Sequence, residues 1–209
     1  MSINALCALL SRVCNHSING SFTMQIRLIL LDFDGTLAST EEANTKAYLT
    51  ALHEEGIELD IEEYRRRYFG MRCPEFLRTI GVTNEADIDR IRRRKIELYP
   101  NFFDTVRLNE PLWNFVQDFR KQGGRAWIVS TGQLENITNV MRHLGIEGMV
   151  DGVISSRDVT EPKPSPEAFL KAMEREGATP AETLIFEDSP VGLAAAEASG
   201  ASYVKVELC

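Results

Sequence analysis

Cysteine and histidine are scarce in this chain: four of one and three of the other in 209 residues. Cys7, Cys14, Cys73 and Cys209 form no C-x-x-C pair, and the histidines supply no zinc spacing. This argues against a disulfide framework or a zinc site, and makes a reducing cytoplasm the expected setting. Long apolar runs are absent too. None reaches the roughly 18–20 residues that cross a bilayer, so no membrane span is expected. Basic residues are in deficit, 23 against 31 acidic, for a net charge of −8. A nucleic-acid polymer is therefore an unexpected partner, because its phosphates call for clustered Lys and Arg. Repeats and low-complexity segments are also missing. What remains is a globular composition, 44% apolar and 26% charged, at a length suited to one α/β domain with a small insertion.

Five short apolar runs read as buried strands: Leu28–Leu31, Ala126–Val129, Met149–Ile154, Leu184–Phe186 and Tyr203–Val206. Runs that are apolar throughout, rather than alternating, suit a parallel sheet covered on both faces. Helical patterns lie between them. Gln133–Leu144 stops at Gly145. Ser165–Glu176 and Ser189–Ser199 each open on Ser-Pro, a cap followed by proline in the first turn, and end at Gly177 and Gly200. The alternation predicts a doubly wound α/β fold, a Rossmann-like five-stranded parallel sheet. One interval breaks the rhythm. Glu41–Glu55, Ile61–Tyr68, Pro74–Ile80, Glu85–Tyr99 and Pro111–Lys121 all read as helices between the first two strands. The last belongs with the sheet. The expected domains are an α/β core over 24–38 and 106–209, and an inserted α-helical cap domain over 39–105. Residues 1–23 are expected to be a loosely ordered extension, or to precede a natural start at Met24. His53 and His143 fall in helices and are expected to be structural or solvated, and Trp113 and Trp127 to lie in the core.

Four strings carry chemistry. Asp32 and Asp34 end the first strand in LILLDFDGTL, one residue apart, so a persisting strand sends both the same way before Gly35 lets the chain turn. Ligands of open α/β sheets bind at this carboxyl edge. Ser130 and Thr131 end the second strand in IVSTG, where a hydroxyl and helix-start amides can hold an anion, or where the serine simply caps the helix. Lys163 stands between prolines in EPKPSP, a fixed positive charge or a solvated loop lysine. Glu187 and Asp188 end the fourth strand in LIFEDSP, where they complement a helix dipole or join Asp32 in a hard oxygen site for Mg²⁺. The four strings follow one another at the same ends of successive strands.

Together they resemble the haloacid dehalogenase superfamily of phosphotransferases, over about residues 27–206. The resemblance is strongest to the branch with phosphoglycolate phosphatase, β-phosphoglucomutase and small sugar-phosphate phosphatases, which inserts a helical cap between the first two motifs. It implies Asp32 as nucleophile forming an aspartyl-phosphate, and Asp34 as the acid that protonates the leaving oxygen and then activates water. It implies Ser130 and the Thr131 amide on the phosphoryl oxygens, with Lys163 neutralising charge. Mg²⁺ would be held by Asp32, the Asp34 carbonyl and Asp188, with Glu187 nearby or acting through water. Dehalogenase and phosphonate-cleaving subgroups fit poorly, because both depart from the second aspartate, which is present here. Ser39 stands where the family often has Asp, and is expected to cap the next helix. Many relatives also continue beyond the point corresponding to Cys209.

Gly70 and Arg72, in YFGMR, sit where relatives place a substrate-specificity loop. Residues 60–95 hold ten basic and seven acidic side chains, a local +3 against −11 elsewhere. A positive cap over an acidic core would draw in an anionic substrate, and its kcat/KM would fall with salt. The expected activity is Mg²⁺-dependent hydrolysis of a small phosphorylated metabolite. The alternatives are a phosphomutase, against which Cys73 stands at the position of the mutase's cap arginine, and a non-catalytic binding module, against which the intact acids argue. Oligomeric state is left open.

Overall fold

The structure, a computed structural model, describes residues 26–208. Five strands form one parallel sheet in the order β5–β4–β1–β6–β7: β1 Leu28–Leu31, β4 Arg125–Val129, β5 Gly152–Ile154, β6 Thr183–Glu187 and β7 Ser202–Lys205. The central strand explains the architecture. All four of its side chains are fully buried. Period-2 alternation sends Ile29 and Leu31 to one face and Leu28 and Leu30 to the other, so both faces need a cover. On the first face lie α5 (Glu110–Lys121) and α6 (Leu134–His143), through Val116, Phe119, Ile137 and Val140. On the second lie α7 (Glu167–Glu176) and α8 (Pro190–Ala198), through Phe169, Met173, Ala195 and Ala196.

Element ends differ from the sequence reading in instructive ways. β5 begins at Gly152, not Met149. The Gly152 backbone lies under the Trp127 ring, where a Cβ would come within 2.5 Å of a ring carbon. The Met149 carbonyl instead accepts from Arg120. The cap position of α7 is Pro166 rather than Ser165. Ser189 does cap α8, accepting from the Gly192 N–H at 3.0 Å. Trp113 is buried; Trp127 is partly buried and donates to Glu176. His53 is exposed beside Glu58, and His143 packs on Phe103.

Between β1 and α5 the chain makes two short strands, β2 (Ala38–Ser39) and β3 (Arg107–Leu108), which pair antiparallel. Neither was legible from the sequence. They bring the two ends of a helical insertion together. Ser39 closes that pair, accepting from the Arg107 N–H at 3.0 Å, and does not cap a helix. The insertion holds α1 (Glu41–Glu54), α2 (Ile61–Arg67), α3 (Cys73–Thr79), α4 (Glu85–Leu98) and a 3₁₀ turn over Tyr99–Thr105. Tyr48, Tyr64, Tyr68 and Phe76 meet with ring centroids 5.2–5.7 Å apart, the spacing of tilted and edge-on aromatic pairs. Lys95 of α4 is buried among them, its Nζ 3.7 Å from the Tyr99 ring centroid and 5.1 Å from that of Tyr48. No described helix is long and apolar enough to cross a membrane. Residues 1–23 and Met24, Cys7, Cys14 and Cys209 lie outside the described residues.

Candidate active site

Parallel register places the ends of β1, β4 and β6 side by side: Leu31 pairs with Ile128 on one side and Phe186 on the other. The residues that follow, Asp32, Ser130 and Glu187, therefore arrive together at the carboxyl edge. The Asp32 N–H still donates to the Phe186 carbonyl at 2.9 Å, so Asp32 is held as an extension of the strand.

Lys163 joins this group from the loop before α7, between Pro162 and Pro164. Its Nζ donates to Asp32 Oδ1 and Glu187 Oε2, both at 2.6 Å, and to the Val129 carbonyl at 3.2 Å. The three donor positions of the ammonium are thus filled inside the protein. Burial works against its charge, but Asp32 and Glu187 outweigh it and the Lys163 pKa stands above the ordinary lysine value. For Asp32 the balance is reversed. Burial, joined by the negative charge of Glu187 and Asp34, lifts its carboxyl well above the usual range despite the pull of Lys163. Burial also raises Asp188.

Glu187 is saturated. Its Oε1 accepts from the Asp188 and Ser189 N–H groups and the Ser189 hydroxyl, and its Oε2 accepts from Lys163. Gly192 of α8 makes room for it: a Cβ there would lie 2.0 Å from Glu187 Cδ. Asp188 accepts from the Thr36 hydroxyl at 2.9 Å. Gly35 lets it approach, with φ +96° and a hypothetical Cβ only 2.3 Å from Asp188 Oδ2. Oxygens of Asp32, Glu187 and Asp188 lie within 4.8 Å of one another. Asp32 Oδ2 accepts no hydrogen bond among the described residues.

Asp34 is engaged by the start of the insertion and by the loop after β4. Its Oδ1 accepts from the Thr40 hydroxyl at 2.5 Å and, weakly, from Asn44 at 3.5 Å; its Oδ2 faces Ser130 Oγ at 3.3 Å. Ser130 Oγ also accepts from the Gly132 N–H. The Thr131 N–H makes no hydrogen bond among the described residues.

Gly70 and Arg72 reach this edge from the insertion. The Thr131 hydroxyl donates to the Gly70 carbonyl at 3.3 Å. Arg72 donates to the Val159 and Thr160 carbonyls at 3.3 and 3.4 Å, in the loop that leads to Lys163. Its guanidinium thus ties the insertion to the sheet. The local positive charge is also offset. Over 39–105 the chain carries 14 acidic against 11 basic residues. Arg90 is paired with Glu55 and Asp87, and Arg94 with Glu54 and Glu97. The positive field expected from residues 60–95 is cancelled by acids just outside that window.

Sequence reasoning placed all the acids, Ser130 and Lys163 correctly at one edge. It missed Thr36, Thr40, Asn44, Ser189 as a partner of Glu187, Tyr99 and Asn136. Thr36 and Thr40 stand within six residues of Asp34, but nothing local tells that the DGT turn folds both hydroxyls back onto carboxylates.

Four carboxyl groups gathered at the open edge of a parallel sheet, two of them on one ammonium, suit a hard cation and an anionic ester, the equipment of a phosphoryl-transfer hydrolase. The chain belongs to the haloacid dehalogenase-like hydrolase family, whose model matches residues 29–206. It is 31% identical to fructose-1-phosphate phosphatase YqaB of Escherichia coli (strain K12) over 184 residues, 86% of this chain and 96% of that protein. It is 28% identical to pyrophosphatase PpaX of Bacillus cereus (strain AH820) over 175 residues, 79% of this chain and 76% of that one. The crystal structure of CbbY from Rhodobacter sphaeroides in complex with phosphate superposes with a TM-score of 0.81 at 25% identity, covering 88% of each chain. Its enzyme class is that of a phosphatase-type hydrolase.

Proposed function

We propose that the chain is a Mg²⁺-dependent phosphomonoesterase acting on a small phosphorylated metabolite through an aspartyl-phosphate on Asp32, with residues 39–105 serving as a cap over a core of 24–38 and 106–209. The observation that carries this reading is the clasp of Lys163 between Asp32 and Glu187 at 2.6 Å each, which fixes Asp32 while leaving its Oδ2 without a partner. In the proposed reaction Asp32 attacks phosphorus and the ester P–O bond breaks, while Asp34 gives a proton to the leaving alcohol oxygen. Asp34 then takes a proton from water as that water displaces Asp32, releasing phosphate and restoring the Asp32 carboxylate and the Asp34 acid. The Ser130 hydroxyl and the Thr131 N–H hold the phosphoryl oxygens, and the Lys163 ammonium offsets their charge.

The donor set fits Mg²⁺: several carboxylate oxygens, no sulfur or imidazole, and more negative than positive groups. Asp32 and Asp188 with the Asp34 main-chain carbonyl would hold the ion. Glu187, with both oxygens already engaged, would hold Lys163 and Asp188 in place instead of binding directly. Bound there, Mg²⁺ supplies charge neutralisation for the phosphoryl group.

Hydrolysis is favoured over phosphoryl return because the insertion offers no evident clamp for a second phosphate. Arg72 is engaged by two carbonyls, and Cys73 is buried against Tyr48. The relatives' names, a sugar-phosphate phosphatase and a pyrophosphatase among them, support a small phosphorylated substrate. The test is p-nitrophenyl phosphate turnover with Mg²⁺ and with excess chelator, in the native protein and in Asp32→Asn. Turnover lost on chelation and reduced at least about a thousandfold in the variant is expected. Turnover that survives Asp32→Asn overturns the reading.

A further inference from the structure

Beside Asp34 lies a cavity of about 40 Å³ lined by Asp34, Asn44, Tyr99 and Asn136 with Phe33 and Ile137. It lies beside the proposed acid, where the leaving oxygen of a phosphate ester would emerge. Asn136 occupies the third position of α6. Its Oδ1 is buried and has no hydrogen-bond partner among the described residues. Gln133 Oε1, at the cap position of the same helix, is in the same condition. A buried carbonyl oxygen is costly to leave unpaired, so the Asn136 acceptor, which alone of the two lines the cavity beside Asp34, marks a place for a donor that arrives with the ligand.

The surroundings say which donor. Lys163 is held by two carboxylates; the two terminal nitrogens of Arg72 donate to carbonyls, and its Nε, buried without a partner among the described residues, belongs to a residue that does not line the cavity. Lys95 lies over the Tyr99 and Tyr48 rings and does not line the cavity. A carboxylate or second phosphate on the leaving group would face Asp34 and the Asn136 acceptor in a cavity that no lysine or arginine lines. A hydroxyl can donate to Asn136 Oδ1 and accept from the carboxamides of Asn44 or Asn136, which carry both functions. We propose that Asn136 is a specificity-determining residue whose carboxamide takes a hydroxyl of the leaving group, and that the substrate class is the phosphate monoester of a neutral polyol rather than one with an anionic leaving group. This rests on the phosphatase reading above and adds to it the identity of the leaving group.

The experiment compares kcat/KM for fructose 1-phosphate, glycerol 3-phosphate, phosphoglycolate, inorganic pyrophosphate and p-nitrophenyl phosphate, all with Mg²⁺. It uses the native protein, Asn136→Leu and Asn136→Asp, with thermal melts to show that each variant is folded. The native protein is expected to favour the better of the two polyol esters over phosphoglycolate and pyrophosphate by about tenfold or more. Asn136→Leu should lower the ratio of polyol ester to p-nitrophenyl phosphate about tenfold, mainly through KM, as loss of one hydrogen bond to a bound hydroxyl predicts. Asn136→Asp keeps an acceptor at the same place and should recover most of that ratio. If the native protein hydrolyses p-nitrophenyl phosphate but prefers phosphoglycolate or pyrophosphate, or if Asn136→Leu leaves the ratio unchanged, the leaving-group assignment falls and the phosphatase reading stands. If the native protein turns over none of the five compounds, the phosphatase reading falls and takes the assignment with it.

Discussion

Replacing Lys95 with methionine should stabilise the protein, and should do so most below neutral pH. The side chain is 2% exposed and lies against two tyrosine rings, without a carboxylate or carbonyl partner among the described residues. Burial pushes its ammonium down from 10.5 to about 7, against the weaker opposing pull of Asp34. That gap corresponds to roughly 5 kcal/mol of cost when the group is charged in the fold. The rings return about 1–2 kcal/mol of it through cation–π attraction. Methionine matches the length of the stem and keeps favourable sulfur–ring contacts. The expected net gain at pH 6 is therefore about 2–4 kcal/mol, or roughly 5–15 °C in Tm for a chain of this size. The sign of the pH dependence is distinctive. Below about 7 the lysine is protonated folded and unfolded alike, so its cost is present in full. Between about 7 and 10.5 the unfolded chain holds a proton that the fold has released, so native stability rises with pH. The advantage of Lys95→Met should then shrink by about 1.4 kcal/mol per pH unit from pH 7 to 9. Tyr48, Tyr64, Tyr99 and Cys73, all raised by burial, titrate in both proteins. They largely cancel in the difference. Urea unfolding of both proteins at pH 6, 7, 8 and 9 measures it. A difference that is constant across this range, or a variant less stable at pH 6, would refute the reasoning.

Gly192→Ala should act against helix propensity. Alanine at an exposed helix position gains roughly 0.5–1 kcal/mol over glycine, but here the new Cβ would fall 2.0 Å from Glu187 Cδ. Glu187 must move off Lys163, so a loss of about 3 kcal/mol and at least tenfold in kcat is expected, read by thermal melt and p-nitrophenyl phosphate turnover; a variant as stable and active as the native protein would show that Glu187 is not fixed in this way. The ionic-strength dependence of kcat/KM should be weak, within about twofold between about 0.05 and 0.5 M NaCl, because most of the arginines of α2 to α4 are paired with carboxylates and the insertion as a whole is acidic. A steep fall would restore the positive-cap picture that the sequence window suggested.

That window failed for a reason that separates what the chain displays locally from what it does not. The charge of residues 60–95 was counted along the sequence, while the pairing partners Glu54 and Glu55 come from α1 and face α4 across the helix interface. The acids of the candidate site have no such problem. Asp32 and Asp34 are fixed by the strand that precedes them, Glu187 and Asp188 by theirs, and parallel register alone brings the two ends level. A buried run such as Leu28–Leu31 announces both the strand and the direction in which it ends. Even Lys163, which is 131 residues from Asp32, comes into view because its loop follows a fixed place in the α/β order.

Specificity is written differently. Gly70 meets Thr131 across 61 residues, and Arg72 meets Val159 across 87. The insertion is fastened by β2 and β3, strands of two residues each that carry no periodic signal. Arg72 stands where relatives place a substrate-specificity loop, and in the fold it donates to two main-chain carbonyls of the loop before Lys163, contacts that no local signal announces. Asn136 looked like one more polar position on an amphipathic helix, and only the folded chain shows its oxygen buried and unpaired next to Asp34. The division follows from the physics: the candidate acids, Ser130 and Lys163 are positioned by the strands and loops of one sheet edge, whereas the cavity beside Asp34 is lined by side chains from the insertion and α6 that converge only in the fold.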